Sequence, residues 1–158
     1  MEYFVIIPAS GSGTRFKGKT PKQFVRIEGK ELIILTLEKF NTINKINSII
    51  ISTQKKFFGK IIRLVLERKM NKVTKIVEGG KRRMDSVYNA LMNINCRKDD
   101  FIIIHDAVRP FVSKSLVERL IKETKKFNAV IPGIPINDTV KRTDKKFIVQ
   151  NTIPRENL

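Results

Sequence analysis

The stretch Ala9-Ser10-Gly11-Ser12-Gly13-Thr14-Arg15-Phe16, continuing through Lys17-Gly18-Lys19-Thr20-Pro21-Lys22-Gln23, combines small residues, closely spaced glycines and four cations. Glycine lets backbone N–H groups approach an anion, because it has no Cβ and tolerates unusual φ/ψ. The cations add charge where the backbone adds geometry, so the stretch reads as a phosphate-binding loop. Two further segments carry comparable chemistry. Glu78-Gly79-Gly80-Lys81-Arg82-Arg83-Met84-Asp85-Ser86-Val87 permits a tight turn into a helix, with Arg82 or Arg83 able to face an anion and Ser86 on the opening turn. A plain turn with a helix cap accounts for the same residues. His105-Asp106-Ala107-Val108-Arg109-Pro110-Phe111 ends an apolar run on an aspartate. A carboxylate placed there suits Mg²⁺, a hard cation that takes carboxylate and phosphate oxygens. Arg109 could hold Asp106 in place or touch phosphate. His105, the only histidine, reads as a structural hydrogen-bonding residue and not as a base.

Three loop patterns overlap at the N-terminus. Gly11-Ser12-Gly13 opens like the dinucleotide fingerprint, but Phe16 occupies the third glycine position and the match fails. Gly13 to Thr20, G-T-R-F-K-G-K-T, fits the P-loop of nucleoside triphosphatases letter for letter. That pattern requires a helix directly after Lys-Thr, whereas Pro21 pushes Thr20 away from helical backbone. The following Phe24-Val25-Arg26-Ile27-Glu28-Gly29-Lys30 alternates and turns at Gly29. The third pattern is G-S-G-T-R-F followed closely by P-K-Q-F. An apolar strand ending in Asp106 also resembles a Walker-B strand, so it does not separate the enzyme readings.

Elements able to position these groups recur in order. Apolar runs at 3–7, 48–52, 73–77, 101–105 and 129–131 read as strands, and amphipathic stretches at 31–40, 56–68, 83–94 and 114–127 as helices. The alternation predicts βαβ units around a largely parallel sheet, buried on both faces. Ligands in such sheets bind at the carboxyl ends of strands, which is where the three segments fall. Beyond Pro132-Gly133-Ile134-Pro135, two β-prone arms flank a polar turn at Asp144-Lys145. This predicts a β-hairpin arm, at about 137–155, that contributes little to a core.

A chain of 158 residues suits a single domain with a substantial core. No apolar run approaches a membrane span, and no signal-peptide pattern precedes the first strand. The single cysteine, Cys96, rules out an intrachain disulfide and fits a reducing, cytoplasmic setting. Lys and Arg total 32 against 15 Asp and Glu, a net charge of +17. The lysines are scattered without an aromatic-interleaved stripe, so no nucleic-acid partner is expected and most are read as solvated faces. A small polyanionic substrate still gains from the field.

Four segments agree in order and spacing with one family: P-A-S-G-S-G-T-R-F with P-K-Q-F, G-G-x-x-R-x-D-S-V, H-D-A-V-R-P-F, and D-T-V-K-R with N-T-I-P-R-E-N-L. Together they span nearly the whole chain and resemble the 2-C-methyl-D-erythritol 4-phosphate cytidylyltransferases. The resemblance implies an α/β, Rossmann-like nucleotide-diphospho-sugar transferase fold and transfer of CMP from CTP to the polyol phosphate. That step belongs to non-mevalonate isoprenoid synthesis and releases pyrophosphate. Arg15 and Lys22 match the family's transition-state stabilisers, and Gly11, Ser12, Gly13 and Thr14 its triphosphate cradle. Ala9, Ser10, Gly79, Asp85 and Ser86 match its cytosine and ribose surroundings. Asp106 would hold Mg²⁺ or another hard divalent cation and face the sugar-phosphate substrate, with Arg109 beside it. Thr139, Lys141 and Arg155 would reach the same substrate from an arm shared across a homodimer.

Ser10 stands where the family usually has alanine, a change expected to matter little because the contact there is mainly backbone. The family also continues past Leu158 into a W-x-x-Q-T-P-Q-type segment and a late lysine, so the chain is expected to be C-terminally incomplete. Alternative readings are a ribitol 5-phosphate cytidylyltransferase, which shares the first and third segments, a P-loop NTPase, and a basic nucleic-acid binder.

Overall fold

The computed structural model describes residues 1–11 and 20–158. Four strands form a parallel sheet: β1 (Tyr3–Pro8), β4 (Ser48–Thr53), β5 (Val73–Glu78) and β6 (Phe101–Ile104), in the order β5-β4-β1-β6. Between β1 and β4 lie the two-residue strands β2 (Arg26–Ile27) and β3 (Lys30–Glu31). The helices are α1 (Leu32–Asn41), α2 (Phe58–Glu67), α3 (Arg83–Leu91) and α4 (Lys114–Phe127). Strands β7 (Val140–Thr143) and β8 (Val149–Ile153) pair separately as an antiparallel hairpin. The α/β, mostly parallel, Rossmann-like architecture expected from the sequence is therefore present, with helices against the sheet and a C-terminal hairpin.

Burial on both faces explains why β1 and β4 read as unbroken apolar runs. Val5, Ile7, Ile49 and Ile51 pack with Ile33, Ile34, Leu37 and Phe40 of α1 and with Ile61, Leu64 and Val65 of α2. Their neighbours Phe4, Ile6 and Ile50 point the other way, onto Val87 and Ala90 of α3. The register is fixed by Val5 opposite Ile49 and Ile103.

The chain divides into two compact units, Met1–Ile121 and Lys122–Leu158. In the second, Asp144 organises the hairpin turn: its Oδ1 accepts from the backbone N–H groups of Lys146 (2.8 Å) and Ile148 (3.0 Å). Phe147 takes a positive φ of 62° in that turn.

One expected strand is absent. Residues 129–131 form no ladder; Ile131 is 90% exposed and precedes Pro132, which cannot donate a backbone hydrogen bond. A short apolar run between Asn128, at φ 62°, and a proline has too little length to pair without a neighbouring strand. The smaller disagreements are element ends that shift by a few residues, as frayed termini do.

Candidate active site

The carboxyl ends of β1, β4, β5 and β6 bring the described sequence-predicted residues of the first unit, Ala9 to Gly11, Gly79, Asp85, Ser86, Asp106 and Arg109, to one end of the sheet. The chain after β1 is held by its carbonyls. Ala9 O accepts from Gln23 Nε2 (3.0 Å) and Thr53 Oγ1 (3.2 Å), and Ser10 O from Gln54 Nε2 (2.8 Å). Ala9 N–H in turn donates to Ser52 O at 2.7 Å. These contacts connect the end of β1 to the end of β4 and to the segment carrying Lys22, which is exposed next to buried Gln23. Gln23, Thr53 and Gln54 were not singled out in the sequence. Their signal was position alone: Thr53 and Gln54 follow a strand directly, and Gln23 belongs to P-K-Q-F.

Lys22 lies in a single 3-10 turn, Lys22–Phe24, after which the chain enters the β2–β3 hairpin. Glu28 (φ 50°) and Gly29 (φ 78°) make its turn, the two consecutive positive φ values that right-twisted hairpins favour. No helix runs on from Thr20, so the structural condition of the P-loop is not met. Glu31 closes this hairpin on Arg26, whose Nη2 lies 2.8 Å from Oε1. Burial pushes the Glu31 carboxyl up, but the Arg26 guanidinium, a backbone N–H and Lys60 together hold it below its ordinary value. Ser12, Gly13, Thr14 and Arg15 lie outside the described residues.

Gly79 and Gly80 are glycines for reasons of space. A Cβ on Gly79 would stand 1.6 Å from Ser10 Oγ and 2.9 Å from Ser86 Oγ, and one on Gly80 2.2 Å from Asp85 Cβ. Gly80 N–H donates to Ser86 Oγ at 3.0 Å, which fixes the turn on the first coil of α3. The Ser10 hydroxyl also donates to Ser52 O at 3.2 Å, so this side chain adds a contact beyond the backbone one expected. Asp85 accepts the Arg82 N–H (3.0 Å) and pairs with its guanidinium at 2.8 Å. The hydrogen bond from the Arg82 side chain, then that from its backbone, holds the Asp85 carboxyl below its usual range. Ser10, Gly79, Asp85 and Ser86 thus form one cluster, with Ala9 and Gly11 on the adjoining chain. A Cβ on Gly11 would meet nothing within 4 Å among the described residues.

Asp106 follows β6 with its side chain 29% exposed, between Arg83 Nε at 2.9 Å from Oδ1 and Arg109 Nε at 3.1 Å from Oδ2. The loop is anchored behind them by Thr36 Oγ1, which donates to Ala107 O at 2.9 Å. His105 stacks edge-on against Phe40, ring centroids 4.9 Å apart. Its Nδ1 is buried without a partner among the described residues, and desolvation lowers its pKa although Asp106 opposes this. The packing on Phe40 suits the structural part expected of it, whereas Nδ1 does not make, among the described residues, the hydrogen bond that was expected with that part.

In the second unit, Lys141 Nζ donates to Thr152 Oγ1 at 2.7 Å across the hairpin, and Arg155 Nη1 donates to Asn137 O. Thr139 lies at the start of the same arm, beside β7.

A model of the 2-C-methyl-D-erythritol 4-phosphate cytidylyltransferase family matches residues 3–158. The chain belongs to that family. It is accordingly a nucleotidyltransferase, and the family expected from the four motifs is the one found. It is 38% identical over 155 residues to the 2-C-methyl-D-erythritol 4-phosphate cytidylyltransferase of Clostridium botulinum, covering 98% of this chain and 67% of that protein. The corresponding enzyme of Acidobacterium capsulatum is 35% identical, with 99% and 69% covered. Among solved structures, the Francisella tularensis enzyme superposes with a TM-score of 0.78 at 32% identity, covering 100% of this chain and 68% of that one. The 4-diphosphocytidyl-2C-methyl-D-erythritol synthase of Anaerococcus prevotii gives 0.80 at 28% identity, with 99% and 65% covered. The chain thus spans about two thirds of the length of these relatives.

Proposed function

We propose that this chain transfers CMP from CTP to 2-C-methyl-D-erythritol 4-phosphate, releasing pyrophosphate, as one cytidylyltransferase domain over 1–158 with an arm at about 137–155. The carrying observation is the convergence at the strand ends of the nucleotide-side cluster Ser10, Gly79, Asp85 and Ser86 with the Asp106–Arg109 pair. The attacking phosphate is already ionised, so the reaction needs alignment and charge neutralisation and no general base. His105, packed against the Phe40 ring, agrees with that.

In this reading Ala9, Ser10, Gly79, Asp85 and Ser86 receive cytosine and ribose, and Gly11 to Thr14 the triphosphate. Arg15 and Lys22 stabilise charge developing on the α-phosphate and the leaving pyrophosphate. Arg109 meets the polyol phosphate, with Thr139, Lys141 and Arg155 contributed by the arm of a second copy in a homodimer. Asp106 suits a hard divalent cation such as Mg²⁺. Each of its oxygens faces one guanidinium and retains a lone pair, and Mg²⁺ commonly takes a single carboxylate together with substrate phosphates. Among the described residues there is no group of three or more His, Cys, Asp and Glu side chains, so Asp106 would share the ion with the nucleotide. Bound there, it would neutralise phosphate charge.

A lone thiol, Cys96, supports a cytoplasmic setting, and no described helix is long and apolar enough to cross a membrane. The test is pyrophosphate release with CTP and either 2-C-methyl-D-erythritol 4-phosphate or ribitol 5-phosphate. Release that requires CTP and the former is expected. Preference for ribitol 5-phosphate, or nucleotide hydrolysis without any polyol phosphate, would overturn the reading.

A further inference from the structure

We propose that Arg83 is a substrate-binding residue that acts with Arg109 to receive a phosphate group, the two guanidiniums being held side by side by Asp106. The proposal rests on the cytidylyltransferase reading above. Read from residue type alone, Arg82 and Arg83 can both face an anion, the arginine of G-G-x-x-R-x-D-S-V being Arg83, and the structure gives the two different partners. Arg82 turns back on its own helix, where Nε and Nη2 both engage Asp85. Arg83 leaves the helix and reaches Asp106 on the neighbouring loop through Nε alone, at 2.9 Å.

Arg109 meets the other oxygen of the same carboxylate, also through Nε. Among the described residues neither Arg83 nor Arg109 uses its terminal amino groups in a side-chain hydrogen bond. Both side chains are largely exposed, at 60% and 76%, while the carboxylate between them is at 29%. One anionic group therefore orients two cationic forks and leaves a net positive charge. A guanidinium fork matches two oxygens of a phosphate, and orienting it in advance lowers the entropy lost on binding. Arg83 also opens α3, whose N-terminal end favours negative charge.

The phosphate has two possible sources, the nucleotide triphosphate or the polyol phosphate. They are distinguished by probe and by Michaelis constant. Inorganic pyrophosphate and inorganic phosphate are titrated calorimetrically into the full chain at low salt, as wild type, Arg83→Gln and Arg83→Lys, with circular dichroism confirming the fold. Arg83→Gln should weaken binding of at least one probe by roughly tenfold, as loss of a charge-assisted pair does, and Arg83→Lys should recover part of it. A parallel rise in KM for CTP assigns the phosphate to the nucleotide, and a rise in KM for the polyol phosphate assigns it to the second substrate. Affinities within twofold of wild type in a folded Arg83→Gln protein, or no probe binding by wild type, overturn the proposal. A wild-type chain that binds the probes but releases no pyrophosphate with both substrates would overturn the cytidylyltransferase reading. The titrations would still decide the case for Arg83.

Discussion

The chain after β1 and the C-terminal hairpin both carry candidate site residues, yet they are built in opposite ways. Around Ala9 and Ser10, the groups that set the backbone are themselves core: Ala9, Gln23 and Thr53 are 4%, 3% and 0% exposed. On the hairpin every residue from 141 to 152 is exposed, and Lys141 is held by one cross-strand hydroxyl. The first region cannot change its contacts without disturbing the packing beneath it. The second can lose a functional side chain and keep its backbone. The difference teaches where folding and catalysis share residues and where they are separable.

Four substitutions sharpen that contrast. The largest expected effect is on turnover: Lys22→Ala, at an exposed position anchored by buried Gln23, should lower kcat by a factor corresponding to about 3–4 kcal/mol of transition-state stabilisation. Its melting temperature should remain that of wild type, and near-normal turnover would remove Lys22 from the catalytic pair. Gly80→Ala comes next, because the new Cβ meets Asp85 Cβ at 2.2 Å and must displace the start of α3. Overpacking of this kind costs about 3 kcal/mol, to be read as a lowered denaturant midpoint with weakened CTP binding. A protein unfolding at the wild-type midpoint would show that the turn yields freely.

Gln23→Ala removes one of two donors to the Ala9 carbonyl, so a loss of about 1–2 kcal/mol is expected, together with slower turnover. If the midpoint fell while kcat held, Gln23 would support the fold without registering Lys22. The smallest stability effect belongs to the arm. Lys141→Ala should change the unfolding free energy by no more than about 0.5 kcal/mol while raising KM for the polyol phosphate. A stability loss as large as that of Gln23→Ala would erase the contrast between the two regions.

The sheet was legible because its central strands are buried on both faces. Runs such as Ser48-Ile49-Ile50-Ile51 have few other folded states open to them. The turn at Gly29 and the reversal around Asp144 were legible for a local reason, since both depend on residues adjacent in sequence. Residues 129–131 had the composition of a strand without a partner for its hydrogen bonds, which no local pattern reveals. The clamp on the Ala9 and Ser10 carbonyls was hidden for a related reason. Gln23, Thr53 and Gln54 are ordinary polar residues until the fold brings them to one carbonyl pair. The choice between Arg82 and Arg83 likewise rested on which carboxylate lay within reach, and Asp106 lies on a different loop from either arginine.

The strand order has a consequence for how the chain is made. Tyr3–Pro8, which precedes both of its neighbours in the chain, occupies an interior place in the sheet, between Ser48–Thr53 and Phe101–Ile104. A ribosome completing this protein releases that apolar hexapeptide long before either neighbour exists. One side of it is covered when β4 emerges, and the other waits for β6. Parallel pairings of such sequence separation form slowly and leave edges open meanwhile. The interval between β1 and β6 is therefore when the nascent chain is most exposed to misassembly, and when a chaperone that holds short apolar segments has most to protect.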